Sequence, residues 1–123
     1  MTDRTEIFTD GTFNDQTGAG GWAAVVTRTA TGRQSGTSGY VMGLRAMVEA
    51  VKMADGPCTI ISDYDGLVRT AQAEMTPEKC RPLWEELYAA AAGKDVEFAW
   101  RGRDQSLGSR LAHQLARDAA KGR

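Results

Sequence analysis

"IFTDGTFNDQTGAGGWAAVV", residues Ile7–Val26, sets one carboxylate, Asp10, at the end of an apolar strand and follows it with a glycine-rich connection and a second strand. Glu6 to Asp10 and Gly21 to Arg28 read as strands, and the glycines at 11, 18, 20 and 21 mark the stretch between them as a loop. Arg33 to Thr37, after "TATG", reads as a third strand, so the first three strands are expected to form an antiparallel meander. From Val41 to Ala54 the apolar residues Leu44, Met47, Val48 and Val51 recur at helical spacing, and "DGP" at Asp55–Pro57 supplies a stop. "CTIIS" is a short buried strand that ends at Asp63, followed by a helix from about Gly66 to Glu74. A helical stretch is expected from Thr76-Pro77 to about Ala92, bent or restarted at Pro82, then a strand "VEFAW" and a helix from about Leu107 to Lys121.

This order of elements predicts an α/β fold. A strand that follows a helix runs parallel to the first by right-handed crossover logic, so the expectation is a mixed five-stranded sheet flanked by helices. Its first three strands are antiparallel, and the fourth and fifth run parallel to the first. The C-terminal ends of the first and fourth strands then lie side by side, about 4.8 Å apart. That brings Asp10 and Asp63 to one edge. Either residue alone is explained by ending its strand. Two carboxylates that close repel unless a cation lies between them, and hard oxygen ligands suit Mg²⁺ or Mn²⁺.

At 123 residues, 41% hydrophobic and 25% charged, the chain suits one domain over 1–123 and is too short for two ordinary ones. No apolar run approaches the roughly 18 residues of a membrane span, and "MTDRTE" has neither the basic nor the apolar part of a signal peptide. The expectation is a cytoplasmic monomer with no membrane partner. Cys58 and Cys80 have no metal-ligand spacing and read as reduced thiols. Charge is unevenly spread. Arg101 to Arg123 holds six basic residues against two aspartates, a net of +4, whereas the rest carries nine basic and fourteen acidic residues, a net of −5. The basic segment is either a solvated helix face or the place where a phosphate backbone lies.

With these motifs in place, the chain resembles the type 1 ribonucleases H of the ribonuclease H-like superfold. "IFTDGTFNDQTGAGGWAAVV" is similar to that family's opening strand, glycine loop and second strand. "MGLRAMVEAVKMA" is similar to its first helix, "TIISDYDGLV" to its fourth strand and "WRGRDQSLGSRLAHQLARDAA" to its terminal loop and helix. The resemblance covers nearly the whole chain. It implies metal-dependent endonucleolytic cleavage of the RNA strand of an RNA/DNA hybrid, with two metal ions clamping the scissile phosphate.

Carried over residue by residue, Asp10 and Asp63 match the family's first-strand and fourth-strand aspartates. The first-helix glutamate that precedes a leucine falls on Gly43, before Leu44, and the last-helix aspartate falls on His113, the chain's only histidine. The loop histidine falls on Arg103. His113 can still ligate a metal if neutral or serve as an acid/base group, against the alternative of a surface residue. Glu49 cannot stand in for the glutamate, because six residues at 100° each turn it about 120° from Gly43. Asp15, Asp65 and Asp104 lie in or near loops where a third oxygen could originate. The resemblance thus implies catalytic and metal-ligating roles for Asp10, Asp63 and His113.

For nucleic acid it implies contacts from Gly11, whose backbone can come close to substrate, from Thr12, Asn14 and Gln16, and from Arg101, Arg103 and Arg110. The aromatic residues Trp22, Trp84 and Trp100 read as core rather than stacking platforms. The expected function is a divergent ribonuclease H with Mg²⁺ or Mn²⁺ as cofactor. The alternatives are an inactive hybrid-binding protein and a protein-interaction scaffold, since fold alone does not decide function.

Overall fold

The computed structural model describes residues 4–26, 29–102 and 107–122. Five strands, β1 (Thr5–Asn14), β2 (Ala19–Val25), β3 (Thr29–Ser35), β4 (Cys58–Ser62) and β5 (Val96–Trp100), form one sheet in the order β3-β2-β1-β4-β5. β1 pairs antiparallel with β2 and parallel with β4, and β5 lies parallel to β4, as the crossover rule requires. The helices are α1 (Gly39–Met53), α2 (Asp65–Gln72), α3 (Arg81–Ala91) and α4 (Leu107–Ala120).

β1 outruns its expected strand at both ends, and β2 starts two residues earlier than expected and ends at Val25, so together they absorb most of the glycine loop. Gly11 pairs with Trp22, Thr12 with Gly21, Phe13 with Gly20 and Asn14 with Ala19, so only residues 15–18 turn. Gly18 takes φ +73°, and Asn14 Oδ1 accepts from the Gln16 N–H at 2.9 Å, which closes the turn. The remaining glycines serve packing. A Cβ at Gly11 would fall 2.1 Å from Gly43 N in α1, and one at Gly21 would fall 2.1 Å from the Ala116 carbonyl oxygen in α4. α1 therefore covers one face of the sheet and α4 the other. Because side chains alternate along a strand, Gly11 faces α1, whereas Asp10, Thr12 and Asn14 face α4.

α1 begins where Ser38 Oγ accepts from the Val41 N–H at 3.2 Å, and its predicted apolar stripe of Leu44, Met47, Val48 and Val51 is fully buried. These residues meet Ile7, Ile60, Leu67, Trp84 and Leu87 in the core. α3 starts at Arg81, not at Thr76. Cys80 at its N-cap has a left-handed φ of 60°, and Pro82 occupies the first turn, where its missing N–H costs nothing. Trp84 is buried and donates to Tyr40 Oη at 3.0 Å, but Trp100 is 49% exposed, which corrects its assignment to the core. No described helix is long and apolar enough to cross a membrane.

Candidate active site

Asp10 is 5% exposed, and both of its oxygens are engaged. Oδ1 accepts from the Gly11 N–H at 2.9 Å, and Oδ2 lies 2.7 Å from His113 Nδ1 on α4. The aspartate of the central strand and the lone histidine are thus joined directly, across the face that α4 covers.

The parallel register of β1 with β4 pairs Thr9 with Ser62, so Asp10 and Asp63 are each the next residue on adjacent strands. Both line one open cleft of about 410 Å³, together with Gly43 and Asp65. Asp63 is held by its backbone, where its carbonyl oxygen accepts from Trp100 Nε1 at 3.0 Å. The exposed indole is therefore pinned to the Asp63 backbone. Asp65 is paired with Arg69 at 2.9 Å.

Gly43 opens the wall of this cleft: a Cβ there would meet Leu67 Cδ1 at 2.8 Å and Tyr64 Cδ2 at 3.7 Å. α1 offers no side chain at that point. Glu49 points elsewhere, as expected, lying 3.3 Å from Arg45 and 3.6 Å from Lys52. Asp15 sits in the β1–β2 turn and lines a different cleft, while Asp104 lies outside the described residues.

The expected nucleic-acid contacts separate into groups. Gly11 lines the Asp10 cleft, but its lack of a side chain is demanded by α1. Thr12, Asn14 and Gln16 line a second cleft of about 640 Å³ farther along β1. Arg101 is tied to Glu6 at 2.7 Å and lies over the Phe8 ring, and the hydrogen bond to Glu6 raises its guanidinium pKa above the ordinary value. Arg110 is exposed on α4, and Arg103 lies outside the described residues. Three further cations line the second cleft: Arg117 and Lys121, which belong to the basic C-terminal segment read as a place for a phosphate backbone, and Arg33, which the sequence did not single out. Arg117 stands one helical turn beyond His113.

Among the described residues no three His, Cys, Asp or Glu side chains converge as a ready-made metal cage. The donor chemistry nonetheless suits a hard divalent cation. Mg²⁺ is commonly bound by one or two carboxylates, with waters and substrate phosphates completing the shell.

Comparison with known proteins matches nearly the whole chain to one family. The RNase H family profile matches residues 2–121. The chain is 32% identical to a ribonuclease H of Nitrosococcus oceani over 97% of this chain and 95% of that protein. It is 30% identical to a ribonuclease H of Herminiimonas arsenicoxydans over 93% and 92%. The N-terminal RNase H domain of rv2228c from Mycobacterium tuberculosis, solved as a fusion with maltose-binding protein, superposes with a TM-score of 0.81 at 16% identity. That alignment covers 96% of this chain and 95% of the other.

Proposed function

The chain belongs to the RNase H family, and from that premise we propose that it is a divergent, metal-dependent ribonuclease H that cleaves the RNA strand of RNA/DNA hybrids through a reduced ligand set. In this reading residues 1–123 act as one domain. The observation that carries it is that Asp10, held by a 2.7 Å contact with His113, lines an open cleft together with Asp63.

Asp10 and Asp63 would hold Mg²⁺ or Mn²⁺ through carboxylate oxygens. When bound, the metal supplies Lewis acidity toward the scissile phosphate and a more acidic attacking water. His113 positions Asp10 through Nδ1, and its other ring nitrogen would be the one to meet a ligand or a proton. The Gly11 N–H fixes the second Asp10 oxygen, so the carboxylate is oriented before substrate arrives. Asp65, on the rim of the same cleft, is the residue placed to contribute a further oxygen once released from Arg69.

A second reading, an inactive hybrid-binding protein, is favoured by Gly43 alone, which leaves α1 without a carboxylate in the cleft. Cleavage of an end-labelled RNA/DNA hybrid in Mg²⁺ and in Mn²⁺, beside an Asp10→Asn control, decides between them. Products that disappear with Asp10→Asn support the nuclease. Hybrid binding without Asp10-dependent products supports the inactive binder.

A further inference from the structure

α4 runs alongside β1 with matching steps. His113, Arg117 and Lys121 are spaced four residues apart, about 6 Å per step along the helix. Asp10, Thr12 and Asn14 are spaced two apart on the strand face toward α4, about 6.7 Å per step. The two rows start together at the Asp10–His113 contact, and both reach the second cleft. The floor between them is set by Gly21, which pairs with Thr12 on one side and Arg33 on the other and lets Ala116 and Ala120 settle onto the sheet. From the β3 side, Arg33 Nε donates to the Ala120 carbonyl oxygen at 3.0 Å. That bond leaves its two terminal nitrogens without another partner among the described residues. Arg117 and Lys121 are exposed, and no ion pair among the described residues engages either.

The second cleft therefore gathers three cations against one carboxylate, Asp15, with the hydroxyls of Thr12 and Thr17 and the amides of Asn14 and Gln16 at its wall. Point charges beside hydrogen-bonding groups able to donate to anionic oxygens are the chemistry that takes a phosphodiester. One role for the cations is to face the negative C-terminal end of α4, and Arg33 does so. The exposed heads of Arg117 and Lys121 lie where that role leaves them accessible.

We infer that this cleft is a second phosphate seat, which holds the sugar-phosphate backbone of the same nucleic-acid strand whose scissile phosphate lies at Asp10. The seat rests on the ribonuclease H reading above. From Asp10 to Asn14 is about 13 Å along the strand. At about 3.4 Å of axial rise per nucleotide, the seat lies on the order of four nucleotides from the cut. It gives the cleft a direction: substrate on one side of the cut is gripped more firmly than on the other.

The test is binding of fluorescein-labelled RNA/DNA hybrids whose cleavable strand is shortened step by step from either end. It uses the unaltered protein, Arg117→Ala/Lys121→Ala and Arg117→Gln/Lys121→Gln, with thermal melts to confirm that both double variants are folded. For the unaltered protein, shortening from one end past about four nucleotides should weaken binding, and shortening from the other should not. In both double variants that loss should vanish. The slope of log affinity against log salt should become shallower by about 0.9 for each phosphate contact removed. Unchanged salt slopes, or truncation and substitution losses that simply multiply, would overturn the seat. Cleavage that Asp10→Asn abolishes, measured on the same hybrids, keeps the nuclease reading standing in that event. No hybrid binding by the unaltered protein at low salt would overturn both.

Discussion

Replacing Gly11 by alanine tests the close seating of β1 on α1. The added Cβ would lie 2.1 Å from Gly43 N and 2.2 Å from the Met42 carbonyl carbon. Ordinary carbon contacts fall at about 3.5–4.0 Å, so strand and helix must part by more than about 1 Å. Both offending atoms are backbone, and no rotamer change relieves them. Overpacking costs typically 1–3 kcal/mol, and a clash between two backbones belongs at or above the upper end, about 3 kcal/mol. For a domain of this size that corresponds to a fall in Tm of about 10–15 °C.

Gly39→Ala is the control, because nothing lies within 4 Å of a Cβ there. It should leave stability within about 1 kcal/mol of the parent, shifted upward if at all. Urea and thermal unfolding of the three proteins measure the difference. Since the Gly11 N–H also holds Asp10 Oδ1, the alanine protein that remains folded should show a changed His113 ring resonance by NMR. A Gly11→Ala protein that melts within about 2 °C of the parent would refute the account of this glycine as a spacer for α1.

Three further outcomes are expected. Gly43→Glu with His113→Asp should cleave hybrid faster in Mg²⁺ than the parent, because the first adds a carboxylate to the cleft and the second adds one against Asp10, and the only close contact of a Cβ at Gly43, Leu67 Cδ1 at 2.8 Å, is a side-chain end that can move. A folded double variant that neither binds Mg²⁺ more tightly nor cuts hybrid would count against the cleft as a nuclease site. Glu74→Gly should raise stability by up to about 1 kcal/mol in urea unfolding, since Glu74 holds φ 54° at the end of α2, where Glu74 N–H bonds Ala71 and Met75 N–H bonds Thr70 in the glycine-favouring C-terminal motif. Glu86 is held below the ordinary glutamate range by its hydrogen bond from Lys52, so its stabilisation is complete above that range and lost as pH falls through the lowered value. Glu86→Gln should therefore cost under about 1 kcal/mol near neutral pH, discounted because the pair is solvent-screened, and nothing in acid; a pH-independent difference would contradict the assignment.

The elements best read from sequence were those whose signal is local. α1 has a four-residue apolar stripe and a stop at "DGP", and β4 is a short buried strand, "CTIIS", that ends one residue before Asp63. The hairpin was harder. A glycine that turns the chain and a glycine that lets a helix approach are the same letter, and only α1 and α4, distant in sequence, reveal that Gly11, Gly20 and Gly21 are of the second kind. For α3 the sequence offered two starts, Thr76-Pro77 and a restart at Pro82, and the left-handed Cys80 that selects the second depends on packing. At the candidate site, strand-order logic brought Asp10 beside Asp63, and the resemblance to ribonucleases H placed His113 in the helix near them. The direct bond between Asp10 and His113 was not legible, because it depends on how far α4 sinks onto the sheet. Arg33 carried no signal at all: its place in the second cleft follows from the pairing of β3 with β2 and the docking of α4 above both.

Asp10 and His113 are separated by 103 positions, yet each is held in place by the other. Contacts between such distant positions are slow to form, because the intervening chain must be drawn together before they contribute. During synthesis the β1–β2 hairpin can pair while most of the chain is still absent, and β4 can add later, but Asp10 remains without its histidine until α4 arrives. A growing chain would thus carry the strands and both aspartates long before it carried a finished site, and docking of α4 is the event that turns a folded scaffold into one that can hold Asp10 for work.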